Sequence, residues 1–355
     1  MKKHLAMTMV LMMLLGALAG CGGAASQGAD AAASGADSAG ASAGGAAGAS
    51  AASNPPAPAG AADSRIPLSI GTGASTGTSY FVGAALAEVF NKYSEKYVLS
   101  AEATGGTSEN IGLLGQGAIE LGICASPDVA DAYNGIYGYE GKKTPNLRMA
   151  MGGHTHYMHF MALRGSDVKT FSDFQGKKIA YAPSAWQMRK ALLAGWGFEE
   201  NRDYTAQYAP HADNAESLKD GLIVAWGFDA GIPNSTVSDL ATTNGVQFIP
   251  LLPDEFERIH EMFPYYEYGA IPGGTYPGVS EDSPCLIFPT TISTQADAPE
   301  DFVYELVKII TSHTDEFGAI HPSGYEYTPE AVVKGYDLEM LHPGARRYYE
   351  EMGWL

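Results

Sequence analysis

The chain has few cysteines, few positive charges and, beyond its amino-terminal segment, no long apolar run. Of 355 residues only 3 are cysteine, and Cys21 belongs to that amino-terminal segment. The other two, Cys124 and Cys285, lie beside apolar residues. Buried free cysteines behave as small apolar side chains, so two buried thiols are favoured over a disulfide bridge, the alternative that an oxidising compartment would allow.

Positive charge is scarce, because 21 Lys and Arg stand against 40 Asp and Glu, for a formal net charge of -19. This excess argues against nucleic acid or an anionic lipid surface as a partner. It does not fix the sign of a small ligand, since a helix amino terminus attracts an anion at close range. No apolar run of about 18 residues follows the amino-terminal segment, so we expect no membrane-spanning helix there.

The first 64 residues predict export and a lipid anchor. Residues 1–20 have the pattern of a signal peptide, and Leu18-Ala-Gly-Cys21 resembles a bacterial lipobox. The resemblance implies that Cys21 carries lipid and holds the exported chain at the outer face of the cell membrane, periplasmic or on the cell surface. An ordinary secretory signal with an incidental cysteine is the alternative. Residues 21–64, rich in Gly, Ala and Ser, predict a flexible tether.

One stretch, residues 71–83, organises the remaining chain. It follows a short apolar strand pattern at 66–70 and leads into a helical pattern from Phe81 to Tyr93. Its glycines let the backbone approach a ligand, and the new helix favours an anionic group at its start. The alternative is a purely structural turn, since the stretch matches neither the dinucleotide pattern nor a P-loop. The candidate ligand contacts here are Ser75, Thr76, Thr78, Ser79 and Tyr80.

Two further strands also end in small polar residues. A strand at 97–101 precedes a helix that we expect to start near Thr107, capped by Thr107 or Ser108, and a strand at 119–124 precedes Ser126. Ligands gather at the carboxyl ends of strands in open α/β sheets, so these polar residues are expected to face one crevice. The added candidates are Thr107, Ser108, Glu109, Asn110 and Ser126.

A second α/β unit begins after residue 169. A strand ending at Pro183 leads into a helix with Ser184 as expected N-cap, and residues 219–228 and 246–251 predict buried strands. Asp297 to Glu300 has the pattern of a capping box before a helix with an apolar stripe, which we expect to be core. Candidate ligand contacts from this unit are Ser184, Trp186, Gln187, Gly227 and Tyr276.

Three histidines, His154, His156 and His159, lie close together in an extended pattern of one bent strand or two. Residues two apart on a strand share a face, so His154 and His156 could chelate a metal while His159 points away. The spacing matches no structural zinc pattern. We therefore expect no metal and no cofactor, and we favour histidines that are hydrogen-bonded or solvent-facing over direct ligand contacts.

Taken together, six motifs resemble the TAXI-type solute receptors of tripartite ATP-independent periplasmic (TRAP) transporters. The resemblance implies an α/β, two-domain, periplasmic-binding-protein-like fold (type II-like) with crossing hinge strands. It places one domain at residues 65–160 plus 285–355 and the other at 161–284. It also implies capture of a small anionic solute, glutamate-like or another carboxylate, for a TRAP permease. The motifs are Gly71–Gly83, Ala103–Asn110, Leu121–Ser126, Phe174–Lys178, Ile271–Gly278 and His342–Ala345.

The resemblance carries over residue by residue only in part. The family's turn falls on Gly77 to Tyr80, its Ser-x-Glu-Asn segment on Thr107 to Asn110, and its post-strand serine on Ser126. Pro127 departs from the family's Gln-Ser-Asp, and Ser184-Ala-Trp-Gln187 replaces a Gly-Ser-Gly-Thr turn. Trp186 would narrow that side of the pocket, so the identity of the family's solute cannot be carried over to this chain.

Two other functions stay open from sequence. An enzyme would need a nucleophile with a positioned base or a metal set. G-x-S-x-G occurs at residues 73–77, but no arrangement of serine and histidine has a spacing that supports such a pair, and H-E-x-x-H does not occur. We therefore predict that the chain is not an enzyme. The second alternative is a membrane-tethered sensor or surface-interaction protein, because a fold does not fix its downstream partner.

Overall fold

The computed structural model describes residues 64–183, 186–332 and 337–355. The predicted signal peptide, tether and lipid anchor Cys21 lie outside these residues, as does Ser184. The strands are β1 (Ile66–Gly71), β2 (Tyr97–Glu102), β3 (Leu121–Ala125), β4 (Leu147–Leu163), β5 (Lys178–Tyr181), β6 (Thr205–Tyr208), β7 (Ala225–Ala230), β8 (Val246–Phe248), β9 (Glu267–Ile271) and β10 (Ser283–Gln295). The helices are α1 (Thr78–Tyr93), α2 (Thr107–Gln116), α3 (Ser126–Asn134), α4 (Trp186–Trp196), α5 (His211–Lys219), α6 (Ser235–Thr243), α7 (Pro253–Met262), α8 (Glu300–Ser312), α9 (Thr314–Ile320), α10 (Pro329–Val332) and α11 (Pro343–Glu351).

One mixed sheet runs through the molecule in the order β2-β1-β3-β10-β4-β7-β5-β6, with β8 beside β4 and β9 beside β10. Each end is a parallel trio whose first strand lies in the middle, β2-β1-β3 and β6-β5-β7. Between the trios run the long antiparallel strands β4 and β10. This repeated topology confirms the predicted α/β class and the two-part, periplasmic-binding-protein-like arrangement with crossing strands.

We name the two parts by these strands. Half I comprises the described residues within 64–146 and 296–355, and half II comprises those within 164–282, with β4 and β10 connecting them. The predicted domain boundaries at 160/161 and 284/285 fall inside β4 and β10, so they stay a prediction. In half I, the stripe Phe302, Leu306 and Ile310 is fully buried against α1 and the first strands, as predicted.

Three local predictions were wrong at element ends. Gly106, with φ 92°, is the N-cap of α2, so Thr107 and Ser108 lie inside the first turn and cap nothing. Pro299 is the N-cap of α8, which has no side-chain cap, so the Asp297 capping box does not form. The predicted strand at 219–228 begins at Ala225 only, because α5 continues through Lys219.

The remaining sequence expectations about thiols and membrane spans agree with the described residues. Cys124 and Cys285 are both free and buried, and burial raises the pKa of Cys285 to about 12. Among the helices of the described residues, none is both long and apolar enough to cross a bilayer.

Candidate functional site

A cleft of about 300 Å³ lies between half I and half II at the carboxyl ends of their parallel strands. Helices α1, α2, α5 and α6 all start at it. Its lining takes Thr72, Gly73, Ala74, Gly77, Thr78, Ser79, Thr104, Gly105, Gly106, Thr107, Ile123 and Asp128 from half I, His156 from β4, and Ala182, Pro183, Pro210, His211, Asp229, Ala230 and Asn234 from half II.

The half I wall consists mainly of backbone and hydroxyl groups. Gly77 and Gly106 are the N-caps of α1 and α2, and neither helix has a side-chain cap. The first N–H groups of a helix lack intrahelical partners and carry partial positive charge, so they favour an acceptor. Asn110 holds this wall from behind, because its side-chain amide donates to the carbonyls of Gly71, Thr72 and Ile123 at 3.2, 2.9 and 2.8 Å.

At the back of the cleft, His156 is fixed from half II. Its Nδ1 lies 2.8 Å from Asp229 Oδ2, and its Nε2 lies 3.4 Å from Ser79 Oγ. His154 shares this face of β4, with its ring centroid 5.2 Å from that of His156. His154 and His156 therefore lie on one face of the strand, as expected for residues two apart. Among the described residues, no group of three or more His, Cys, Asp or Glu side chains could hold a metal ion.

His159 points to the opposite face of β4 and is locked in a buried chain of hydrogen bonds. Its Nδ1 donates to the Tyr157 carbonyl at 2.8 Å, so its Nε2 accepts from the Tyr276 hydroxyl, also at 2.8 Å. The Asn234 backbone N–H in turn donates to that hydroxyl at 3.0 Å. Burial lowers the pKa of His159 to about 3 and that of His154 well below its usual range, so both are neutral. All three histidines are buried and hydrogen-bonded, in agreement with the favoured expectation, while His156 also lines the cleft, so ligand contact by this residue stays open.

Asp128, in the first turn of α3, joins the cleft to the contact between the halves. Its Oδ2 accepts from Gln187 Nε2 at 2.7 Å and its Oδ1 from the Tyr139 hydroxyl at 3.2 Å. Burial raises the pKa of Asp128 to about 6. One turn further along both helices, Lys190 Nζ of α4 pairs with Asp131 Oδ2 at 2.5 Å, and both side chains are almost fully buried.

The half II wall is built from side chains at the starts of two helices. Asn234 is the N-cap of α6, where its Oδ1 accepts from the Val237 N–H at 3.2 Å. His211 is the first residue of α5, and burial lowers its pKa. Asn234 Nδ2 and His211 Nδ1 are buried without a hydrogen-bond partner among the described residues.

Of the candidate contacts predicted from sequence, the structure brings Thr78, Ser79 and Thr107 to the cleft. Thr78 Oγ1 donates to the Gly231 carbonyl of half II at 3.0 Å, and Thr107 Oγ1 accepts from the Ala125 N–H at 3.1 Å. Whether these three contact a ligand stays a prediction.

The other half I candidates lie outside the lining. Ser75 and Thr76 are exposed on the turn, and Tyr80 packs edge-on against Phe81. Ser108 Oγ lies 3.3 Å from the Tyr139 hydroxyl, and Glu109 accepts from the Gly105 N–H at 2.6 Å. Asn110 has the supporting role given above, and Ser126 is buried at the start of α3.

The described half II candidates likewise lie outside the lining. Trp186 lies under Arg189, whose guanidinium carbon is 4.4 Å from the ring centroid. Gln187 supports Asp128, and Tyr276 supports Asn234. A Cβ on Gly227 would come within 2.6 Å of Phe160, so this glycine allows close packing.

Among the lining residues that the sequence analysis did not name as contacts are four with charged, imidazole or amide side chains, Asp128, His211, Asp229 and Asn234. The sequence around Asn234 contained a usable signal. Asparagine is a preferred N-cap, and this one lies between a strand and a helical pattern, where a crevice residue is expected. Asp229 stands near the end of an apolar strand, which also marks the crevice edge. Asp128 and His211 gave no such signal.

Fold and site together define a two-part α/β protein with a solute-sized cleft. The chain belongs to the NMT1-like family, whose model matches residues 70–353.

Among solved structures, the chain is similar to the alkanesulfonate-binding protein SsuA from Xanthomonas axonopodis pv. citri bound to MOPS, with 16% identity over 80% of this chain and 83% of that one, at a TM-score of 0.46. The periplasmic aliphatic sulphonate binding protein SsuA from Escherichia coli matches at 15% identity over 81% and 94%, TM-score 0.44. The ligand-binding component of an ABC-type import system from Staphylococcus aureus matches at 11% identity over 74% and 84%, TM-score 0.45. Identities and TM-scores this low carry no argument about what this chain binds.

Proposed function

We propose that this protein is an extracytoplasmic solute receptor that closes its two halves over a small, carboxylate-bearing molecule. The observation that carries the proposal is the cleft of about 300 Å³, because both halves line it with the amino-terminal ends of helices. Ligand sites of this volume are usual for small molecules, and helix starts favour anionic groups. The proposed mode is binding without catalysis.

Two hydrogen bonds at the cleft mouth support a closing motion. Thr78 Oγ1 of half I donates to the Gly231 carbonyl at 3.0 Å, and Ser235 Oγ of half II donates to the Thr76 carbonyl at 2.9 Å. Both would break if the halves moved apart. A solute that contacts both walls binds the closed form better and so shifts the population towards it.

The carboxylate preference rests on the donors of the cleft. Among the described residues that line it, none is Lys or Arg, so the donors are N–H groups, hydroxyls, imidazoles and an amide. Such neutral donors bind carboxylates through helix dipoles and hydrogen bonds rather than through ion pairs.

The delivery partner and the membrane attachment follow from the sequence motifs. We infer a TAXI-type receptor that passes its solute to a TRAP permease, with domains at 65–160 plus 285–355 and at 161–284. Lipid on Cys21 would keep it near that permease. Replacement of Cys21 by Ser should release the protein from membranes into the soluble fraction, whereas a variant that stays membrane-bound would refute the anchor.

The test is thermal unfolding of the chain produced from residue 22 against amino acids, dicarboxylates, 2-oxoacids and sulfonates. A ligand that binds only the native state raises the midpoint temperature by mass action. We expect a concentration-dependent rise with at least one carboxylate. A response to sulfonates alone would contradict the carboxylate assignment, and no response to any member would contradict the receptor.

A further inference from the structure

The half II wall holds a hydrogen-bond donor that the fold does not use. Asn234 is 1% exposed and lines the cleft, yet its Nδ2 has no partner among the described residues. Buried polar groups are nearly always hydrogen-bonded, so each one without a partner calls for an explanation. In a ligand cleft, the simplest explanation is a partner on the ligand.

The orientation of this amide is fixed by the protein. Asn234 Oδ1 accepts from the Val237 N–H at 3.2 Å, and the Asn234 backbone N–H donates to the Tyr276 hydroxyl at 3.0 Å. The side-chain oxygen therefore caps α6, and the NH₂ group is the part of the amide without a hydrogen-bond partner among the described residues. Because an NH₂ group only donates, its missing partner must be an acceptor.

His211 lies on the same wall and adds a second polar atom without a partner. Helix α5, which it begins, packs against α6, and its Nδ1 is buried without a partner among the described residues. Its ring is held by Phe228, with centroids 4.6 Å apart. In the tautomer that carries its proton on Nδ1, this nitrogen donates to an oxygen group, as the Asn234 amide does.

Both carboxylates among the described lining residues have hydrogen-bond partners within the protein, and the Asp229 charge also acts on His211. Asp229 is held by His156 at 2.8 Å, and Asp128 accepts from Gln187 and Tyr139 at 2.7 and 3.2 Å. The lining thus contains two separate donor regions, one at the starts of α1 and α2 and one at Asn234 and His211.

We propose that Asn234 and His211 form a second oxygen-binding subsite, so that the solute carries two oxygen-bearing groups, one for each half. This inference rests on the proposed solute receptor and makes its ligand more specific. The class it selects is a dicarboxylate, or a carboxylate with a second carboxylate-like group at the far end. A monocarboxylate would satisfy only half I.

The experiment compares succinate, glutarate and 2-oxoglutarate with butanoate, pentanoate and 2-oxopentanoate, by calorimetry on the chain from residue 22. The variants are Asn234→Asp and Asn234→Ser. Both retain an oxygen for the α6 cap and remove the NH₂ group. Asn234→Asp leaves no donor and adds negative charge, whereas Asn234→Ser leaves only a hydroxyl on a shorter side chain. Asn244→Asp, an exposed change at the other end of α6, is the control for charge.

We expect the best dicarboxylate to bind at least about tenfold more tightly than its monocarboxylate counterpart, since hydrogen bonds to charged groups are the stronger kind. Asn234→Ser should weaken that dicarboxylate at least about fivefold, and Asn234→Asp should weaken it further, while Asn244→Asp leaves it unchanged.

Three results would overturn the inference. If dicarboxylates and monocarboxylates bind the unchanged protein equally, or if both Asn234 variants bind like it, the subsite fails while the receptor stands. If no acid binds the unchanged protein, the carboxylate receptor fails and the subsite fails with it.

Discussion

Half I and half II share a strand order but build their cleft walls differently. In both, the first strand of a parallel trio lies between the second and the third. Half I then presents glycines, hydroxyls and uncapped helix starts, whereas half II presents the side chains of His211, Asp229 and Asn234. The repeated topology therefore fixes where a wall lies but not which atoms it offers.

This contrast leads us to expect unequal roles. Backbone N–H groups at helix starts hold an anion with little selectivity, because any small carboxylate can reach them. Fixed side-chain donors discriminate more, since a ligand without the matching group leaves them unpaired. The wall from half II should therefore determine which solute binds. Four predictions test how the two halves are held together and how each contributes to binding.

The largest expected effect concerns the buried ion pair between the halves. Replacing Lys190 by Met leaves Asp131 buried without its partner, which typically costs about 3–5 kcal/mol of unfolding free energy. Urea denaturation measures it. Lys92→Met is the matched control, because Lys92 pairs with Glu316 at the surface and such pairs contribute about 0–1 kcal/mol. Equal losses for the two variants would show that the halves are not held together by Lys190.

The second effect is a pH dependence from Asp128. Its pKa is raised to about 6 from 3.8, so the folded state takes up the proton first and this contribution is fully present below pH 3.8 and lost as pH rises through 6. Relative to Asp128→Asn, the unchanged protein should gain about 2 kcal/mol between pH 7 and pH 4. Neutral His154 and His159 act in the opposite direction in both proteins and cancel in the difference. A flat difference across this range in urea denaturation would refute the assignment.

The third effect tests contact at the cleft mouth. A Cβ on Gly231 would lie 2.7 Å from Thr78 Cγ2 and 3.1 Å from His154 Cδ2, so Gly231→Ala should push the halves apart. Crowding of this kind costs about 1–3 kcal/mol, which predicts solute affinity lower by about tenfold and a larger radius of gyration in small-angle X-ray scattering. Gly112→Ala has room on α2 and is the control. Unchanged affinity and size for Gly231→Ala would contradict the closing motion.

The smallest effect distinguishes two serines in the first turns of half I helices. Ser79 lines the cleft and Ser108 does not, although both were candidates from sequence. Ser79→Ala should weaken the bound carboxylate by about 2- to 12-fold, the range for one neutral hydrogen bond. Ser108→Ala should bind as before in the same calorimetric titration. The opposite order would place the ligand on the other side of α2.

The sequence predicted half I better than half II for a physical reason. Glycine and hydroxyl residues between a strand and a helix indicate a polar turn locally, which is how Thr78, Ser79 and Thr107 were found. By contrast, Asn234 and His211 lie near each other only because β7 pairs with β5 and α5 packs on α6. Pairing between distant segments is not visible in a local pattern.

The errors within half I have a similar origin. Ser108 and Thr107 are adjacent in sequence, and which one faces the cleft depends on where α2 begins. That start is set by Gly106 at φ 92°, a conformation that glycine adopts readily. The sequence located the turn but not the rotation of the helix that follows it.

The central claim is that one solute contacts both walls. Hydrogen–deuterium exchange with and without a solute from the thermal screen tests it most directly, because it reports protection separately for each wall. We predict slower exchange at residues 73–79 and 104–107 of half I together with residues 211–213 and 234–237 of half II. Protection confined to one half, or at neither, would contradict the account.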